Sequence, residues 1–150
     1  MREAAAAILF DSLGHLLLQL RDNIPNIRYP GKIGLFGGHR EGDESFLDCV
    51  VREVHEELSF YLPPERFRFI ARHTGPDFDM RGGTLHAEFF VASEVPVEKL
   101  MVTEGTLKII AVSDIDQIRS LLTPSAQFAF EVFLGGNWKS RSVKASDRSE

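Results

Sequence analysis

The sequence predicts a single mixed α/β (α+β) domain with a helix packed on a sheet. Three observations carry that expectation. Short apolar runs are separated by turn-rich segments, as in "AAAAILF", "DSLG" and "HLLLQLR". One long segment, Glu44 to Leu58, repeats its apolar residues at helical spacing. The order of elements is strands, helix, strands, helices. A chain of 150 residues is long enough to bury one core, and a composition of 43% hydrophobic and 26% charged residues is that of an ordinary globular protein.

Residues 4–10 and 15–21 read as two strands joined by the turn at 11–14. The alanine run has high helix propensity, but the turn and the second apolar run follow too soon for a helix. Residues 22–34 hold two prolines and two glycines and form a loop. Residues 33–38, "IGLFGG", are a short strand ending in glycines. The helix then runs over 44–58, with Asp43 or Ser45 as cap, and Pro63 and Pro64 prevent much continuation. Residues 66–75, 84–93 and 106–113 are three further strands. Residues 114–122 and 124–136 are helical, with Ser113 or Asp114 and Thr123 as caps. The domain is expected to span 1–136, followed by a polar, flexible tail at 137–150.

On a helical wheel Leu47, Val50, Val51, Val54 and Leu58 share one face, which must be buried. Glu53, Glu56 and Glu57 share a different arc, at i,i+3 and i,i+4 spacing. Such carboxylates repel one another by about 0.2–0.5 kcal/mol per pair on an exposed helix, and raise one another's pKa. They either face bulk water as an ordinary acidic surface or hold a cation. The flanking residues favour the cation. Gly37 and Gly38 let backbone carbonyls come close to a ligand, and Arg52 can hold a neighbouring carboxylate in a bidentate fork.

These residues resemble the Nudix box, G-x(5)-E-x(7)-R-E-U-x-E-E-x-G-U, in which U is bulky and apolar. Gly38, Glu44, Arg52, Glu53, Val54, Glu56, Glu57 and Phe60 stand at the required positions. The final glycine is replaced by Ser59, and Phe36 stands where many members have proline. The resemblance implies the Nudix fold, an α/β/α sandwich around a mixed β-sheet. It implies metal-dependent hydrolysis of a diphosphate bond in a nucleoside diphosphate linked to another moiety, such as a nucleoside triphosphate or ADP-ribose. Mg²⁺ is the implied cofactor, with Mn²⁺ as substitute. Glu53, Glu56, Glu57 and the Gly38 carbonyl would be metal ligands, supported by Glu44 and Arg52. The catalytic set would comprise Glu53, Glu57, Arg52 and Glu104, with Glu104 or Glu53 as general base. A proline sixteen residues after Phe60, Pro76, resembles a pattern in members acting on ADP-ribose.

Outside the box, Tyr29 and Phe78 are candidates to stack on a base. Arg40, in the glycine loop, is the first of several arginines (with Arg21, Arg28 and Arg81) that could meet a phosphate or ribose oxygen. Phe128, Phe130 and Phe133 read as helix packing. The expected partner is a small nucleotide. A net charge of −5 argues against duplex nucleic acid. No apolar stretch approaches the roughly 20 residues of a membrane span. The single cysteine, Cys49, excludes an intrachain disulfide and fits a cytoplasmic location. The family includes both monomers and homodimers. The alternative function is a catalytically inactive Nudix-like sensor that binds nucleotides, although such domains often lose box glutamates and this chain keeps them all.

Overall fold

The structure, a computed structural model, describes residues 1–135. The expected tail at 137–150 lies outside the described residues. The chain forms β1 (Arg2–Asp11), β2 (Leu16–Leu20), β3 (Ile33–Gly34), β4 (Phe36–His39), α1 (Phe46–Leu58), β5 (Arg68–Pro76), β6 (Thr84–Val95), β7 (Thr106–Ile110) and α2 (Pro124–Phe133). Short 3₁₀ turns occur at Pro64–Arg66 and Val97–Lys99, and a longer 3₁₀ segment at Val112–Leu121.

The strands make one seven-stranded mixed sheet. Its arrangement follows from a splayed hairpin. The turn between β1 and β2 is fixed by Asp11, whose Oδ1 accepts from the amides of Leu13 (2.9 Å) and His15 (2.8 Å). β1 and β2 pair only beside this turn, at Leu9↔Leu17 and Phe10↔Leu16. Farther out they diverge, and the segment 33–39 wedges between them. β3 pairs with β2 at Gln19 and Leu20, and β4 pairs with β1 from Ala4 to Ala7. On its other edge β1 runs parallel to β6, which pairs antiparallel with β5. β7 covers the outer edge of β2.

Strand parity sorts the core into two layers. Ala5, Ala7 and Leu9 of β1, with Phe90 and Ala92 of β6, face Cys49, Val50, Val51, Val54 and Leu58 of α1. Ile8 of β1, with Leu85, Ala87, Phe89 and Val91 of β6, faces Ala126, Ala129 and Phe130 of α2. This is the expected α/β/α sandwich. Phe36 is fully buried in the α1 layer, so a large side chain fills the place that proline takes in many family members.

α1 starts where Ser45 caps it: its Oγ accepts from the Asp48 amide at 2.9 Å. Glu44 therefore stands just before the helix. Thr123 caps α2 in the same way, through Ala126. Several expectations change, the single strand at 33–38 first among them, since it divides into β3 and β4 on different partners. Residues 114–122 belong to the 3₁₀ segment, which begins after Ala111 without a side-chain cap, so neither Ser113 nor Asp114 serves. β7 stops at Ile110 rather than 113, because its partner β2 begins at Leu16 and offers nothing beyond that pair.

α1 ends at Ser59, which adopts the left-handed conformation (φ 55°, ψ 35°) and donates its amide to the His55 carbonyl. The left-handed backbone that the missing glycine implied is thus held by a serine. Ser59→Gly should remove about 1–2 kcal/mol of strain while making the unfolded chain more flexible by about 0.4–1 kcal/mol. The expected net gain is about 0.5–1 kcal/mol, read as a higher denaturation midpoint at unchanged m-value. A lower midpoint would contradict this account of the helix end.

Candidate active site

Three pieces of chain converge on the acidic face of α1. β4 brings Gly37 and Gly38 beside it. The segment 39–45 supplies Glu41 and Glu44. A loop at 101–105 is pinned to the last carbonyls of the helix: the amides of Met101 and Thr103 donate to Leu58 and Glu57, at 2.9 and 3.0 Å. These bonds satisfy carbonyls that the helix end leaves open, and they bring Glu104 into electrostatic reach of Glu57. The Glu104 carbonyl is held in turn by the side-chain amide of Gln19, at 3.1 Å.

Arg52 is the organiser. It grips Glu44 with two bonds, Nε to Oε2 at 3.1 Å and Nη2 to Oε1 at 2.8 Å. Its Nη1 reaches Glu53 at 2.9 Å and Glu56 at 3.4 Å, and Nη2 also donates to the His39 carbonyl at 3.0 Å. The guanidinium holds the Glu44 carboxyl down at about 2, and the carboxylates push the Arg52 pKa up. Glu53 feels the same cation, yet burial outweighs it and the Glu53 pKa is raised.

Glu57 is the exceptional group. Burial pushes its carboxyl up to about 8, and the charges of Glu53 and Glu104 add to that push. One backbone donor offsets it, the Gly37 amide, 2.9 Å from Oε1. Glu56 is the most exposed of the three, with 59% of its side chain accessible. Cys49 lies buried beneath, and its thiol, pushed up to about 12 by burial, is no nucleophile.

Among the described residues no three His, Cys, Asp or Glu side chains already converge as a metal cage. Arg52 occupies the centre of Glu44, Glu53 and Glu56 instead. The donor chemistry nevertheless fits a hard divalent cation. The groups are carboxylate oxygens plus a glycine carbonyl, and the half-buried Glu57 carboxylate, with a single backbone donor, is stabilised by a nearby positive charge.

A cavity of about 290 Å³ adjoins this face, and Gly37 and Gly38 form part of its wall. Here the alanine run acquires its meaning. Ala5 and Ala7 pack under α1, while Ala4 and Ala6 line the cavity beside Ala87 and Phe89 of β6. The polar lining comes from Arg2, Gln19, Arg21, Arg28, Tyr29, His39, Asp79, Thr123 and Ser125. Of the sequence candidates, Tyr29, Arg21 and Arg28 therefore border the cavity. Arg40 and Phe78 do not. Arg40 is bound to Glu3 (2.6 Å) and to the Glu44 carbonyl (2.7 Å), and Phe78 packs on His73 and Phe128 with ring centroids at 4.3 and 5.6 Å. Phe128, Phe130 and Phe133 pack in the α2 layer, as expected. Glu88 pairs with Arg72 at 3.0 Å. Sequence reasoning passes over Arg2 and Asp79, since the ion pair between them spans 77 residues of chain. The one available signal is the parity of the alanine run, which turns small residues to both faces of a central strand.

A sheet between two helical layers, with an arginine-braced carboxylate helix beside a cavity, is the arrangement that the Nudix box implies. The comparisons agree. Residues 1–133 match the family model of the NUDIX domain, and the chain belongs to that family. A search of curated proteins returned no significant match. Among solved structures, the chain is similar to a MutT NUDIX hydrolase from Burkholderia pseudomallei. They share 24% identity and a TM-score of 0.67, over 87% of this chain and 96% of that one. The E. coli ORF135 protein has 23% identity and a TM-score of 0.68, over 89% of both chains. A bifunctional NMN adenylyltransferase/ADP ribose pyrophosphatase from Francisella tularensis, complexed with AMP and a Mn ion, has 18% identity and a TM-score of 0.68. That match covers 90% of this chain and 41% of the other. No helix among the described residues is long and apolar enough to cross a membrane.

Proposed function

We propose that the protein hydrolyses the diphosphate of a nucleoside diphosphate derivative in a reaction that depends on Mg²⁺, with Mn²⁺ as substitute. The observation that carries this reading is Glu57, a half-buried carboxylate with one backbone donor, set beside Glu53, Glu104 and the wall of the cavity. Glu53, Glu56, Glu57 and the Gly38 carbonyl would hold the metal. When bound, the cation supplies charge neutralisation for the phosphate oxygens.

The remaining work falls to the chain. Arg52 orients Glu53 and Glu56, and Glu44 keeps Arg52 in place. Glu104 accepts the proton of the attacking water, with Glu53 as the alternative base. Attack at phosphorus breaks the phosphoanhydride bond and releases a nucleoside monophosphate or its equivalent. The nucleoside lies in the cavity, its ring on the methyl groups of Ala4, Ala6 and Ala87 and covered by Tyr29. Arg21 and Arg28 meet the phosphates or ribose. Both a nucleoside triphosphate and a nucleotide sugar such as ADP-ribose satisfy this chemistry, and the Francisella neighbour is named for the latter. The cavity takes a small nucleotide rather than a duplex, and the protein works in the cytoplasm.

The test is phosphate or monophosphate release from a panel of nucleoside triphosphates and ADP-ribose, with and without Mg²⁺. Metal-dependent release supports the assignment. A sensor would bind the panel without turnover. A domain whose acidic helix is merely solvated would show neither turnover nor a rise in melting midpoint on metal addition.

A further inference from the structure

Two loops border the cavity. The segment 21–32 contributes Arg21, Arg28 and Tyr29, and the segment 77–83 contributes Asp79. They are joined by the Tyr29 hydroxyl, which donates to Asp79 Oδ1 at 2.5 Å.

The two sides of that bond are built differently. Asp79 is firmly anchored. Its other oxygen accepts from Arg2 Nη2 at 2.8 Å, and its amide donates to Asp77 Oδ1 at 2.8 Å. Arg2 also grips both oxygens of Asp77, at 2.6 and 2.9 Å, and meets His39 Nε2 at 2.7 Å. The Asp77 side chain is only 1% exposed, and Arg2 holds its carboxyl well below the usual range. The anchor also touches the carboxylate network, because the His39 carbonyl accepts from Arg52.

The Tyr29 side is under strain. Asp22 to Asn26 are exposed. Asn26 and Tyr29 both have positive φ, 73° and 56°, ahead of Gly31 at 74°. Asparagine and glycine tolerate that region, and tyrosine does not do so readily. Non-glycine residues held there concentrate at ligand clamps, where the surroundings over-determine them. The hydroxyl stays a donor, since burial and Asp79 push its pKa up to about 12.

We infer that Tyr29 and Asp79 form a latch that holds the 22–32 loop over a nucleoside lying on the alanine floor, and that this latch sets which nucleosides are retained. The inference rests on the hydrolase reading of the cavity. Asp79, fixed by Arg2, sets how far the Tyr29 ring stands from Ala4, Ala6 and Ala87. Compact planar bases pass under the closed loop. Bulkier groups hold it open and forfeit the hydrogen bond. Specificity then lies in a residue pair outside the box, and Tyr29 acts through its hydroxyl as well as its ring.

Tyr29→Phe keeps the ring and the backbone but removes the bond. Steady-state kinetics with the four deoxynucleoside triphosphates and ADP-ribose should show KM for the preferred substrate raised about tenfold, the scale of a lost hydrogen bond to a charged group. The fall in kcat should be smaller, and the preference among the five should narrow by a similar factor. Asp79→Ala should reproduce this, whereas Asp79→Asn, which keeps an acceptor, should fall between. Amide hydrogen exchange without substrate should speed up across 22–32 in Tyr29→Phe and Asp79→Ala, with α1 unchanged. Exchange at the wild-type rate overturns the latch whatever the activity. Faster exchange with unaltered KM and preference in an active enzyme overturns its role in selection alone. A wild-type enzyme inactive on all five would instead overturn the hydrolase reading, and the selection role with it.

Discussion

Glu57→Gln should lose at least about a hundredfold in metal-dependent turnover while remaining fully folded, because the substitution removes charge from a group proposed to hold the metal. Changes to the outer-shell partners of a metal site typically lose about 10–100-fold, and a ligand should exceed that. The fold is preserved because a glutamine oxygen still accepts from the Gly37 amide, which now bonds Glu57 Oε1 at 2.9 Å. Stability without metal carries a signature of its own. The Glu57 carboxyl is raised from 4.5 to about 8 in the folded protein. Between those values the folded state binds more protons than the unfolded state, so this group makes stability fall as pH rises from about 4.5 to about 8. The neutral glutamine removes that slope. Metal-free Glu57→Gln should therefore match or exceed the wild type in melting midpoint near pH 8. Added Mg²⁺ should raise the wild-type midpoint and leave the variant nearly still. Turnover close to that of the wild type, or a metal-free stability that does not fall relative to the Glu57→Gln variant between pH 5 and 8, would remove Glu57 from the centre of the reaction.

The parts of this molecule that were legible in the sequence are those whose geometry repeats within one segment. α1 declares itself because Val50, Val51, Val54 and Leu58 recur at helical spacing, which fixes the acidic arc as well. The run at 4–10 could be assigned to a strand because Asp11 and Gly14 mark a turn immediately after it. The cavity was not legible, and the reason is physical. Arg2, Gln19, Tyr29, Asp79, Ala87 and Thr123 come from six separated segments, brought together only when 33–39 wedges between β1 and β2. No local period records such a meeting. Arg40 and Phe78 illustrate the reverse. Both have the right chemistry and lie in loop-like sequence, yet Glu3 engages the one and His73 with Phe128 the other. The segment 114–122 is 3₁₀ rather than α-helical, and its pattern does not separate the two, because Ile115 and Ile118, three apart, suit either.

Gly37 and Gly38 should respond to the same substitution in opposite ways. A Cβ on Gly37 would lie 2.2 Å from the Ala5 carbonyl oxygen and 2.5 Å from the Ala6 Cα. Both are backbone atoms of β1, the strand that carries the centre of the sheet, and neither can yield without parting β4 from it. Gly37→Ala should therefore cost about 3 kcal/mol or more. That corresponds to a fall of roughly 6–12 °C in melting midpoint at this chain length. A Cβ on Gly38 would instead meet the Glu53 carboxylate, at 2.4 Å from Cδ and 2.5 Å from Oε1. That group is the mobile end of a long side chain and can swing aside, so Gly38→Ala should melt within a few degrees of the wild type. The displaced carboxylate is, however, both a proposed ligand and the partner of Arg52 Nη1, so turnover should drop by about 10–100-fold. Adjacent glycines would then separate a requirement of the sheet from a requirement of the chemistry. Melting curves and kcat/KM on the two variants decide it: a stable Gly37→Ala, or a fully active Gly38→Ala, would show that the Ala5 carbonyl or the Glu53 carboxylate does not constrain its neighbour as the geometry demands.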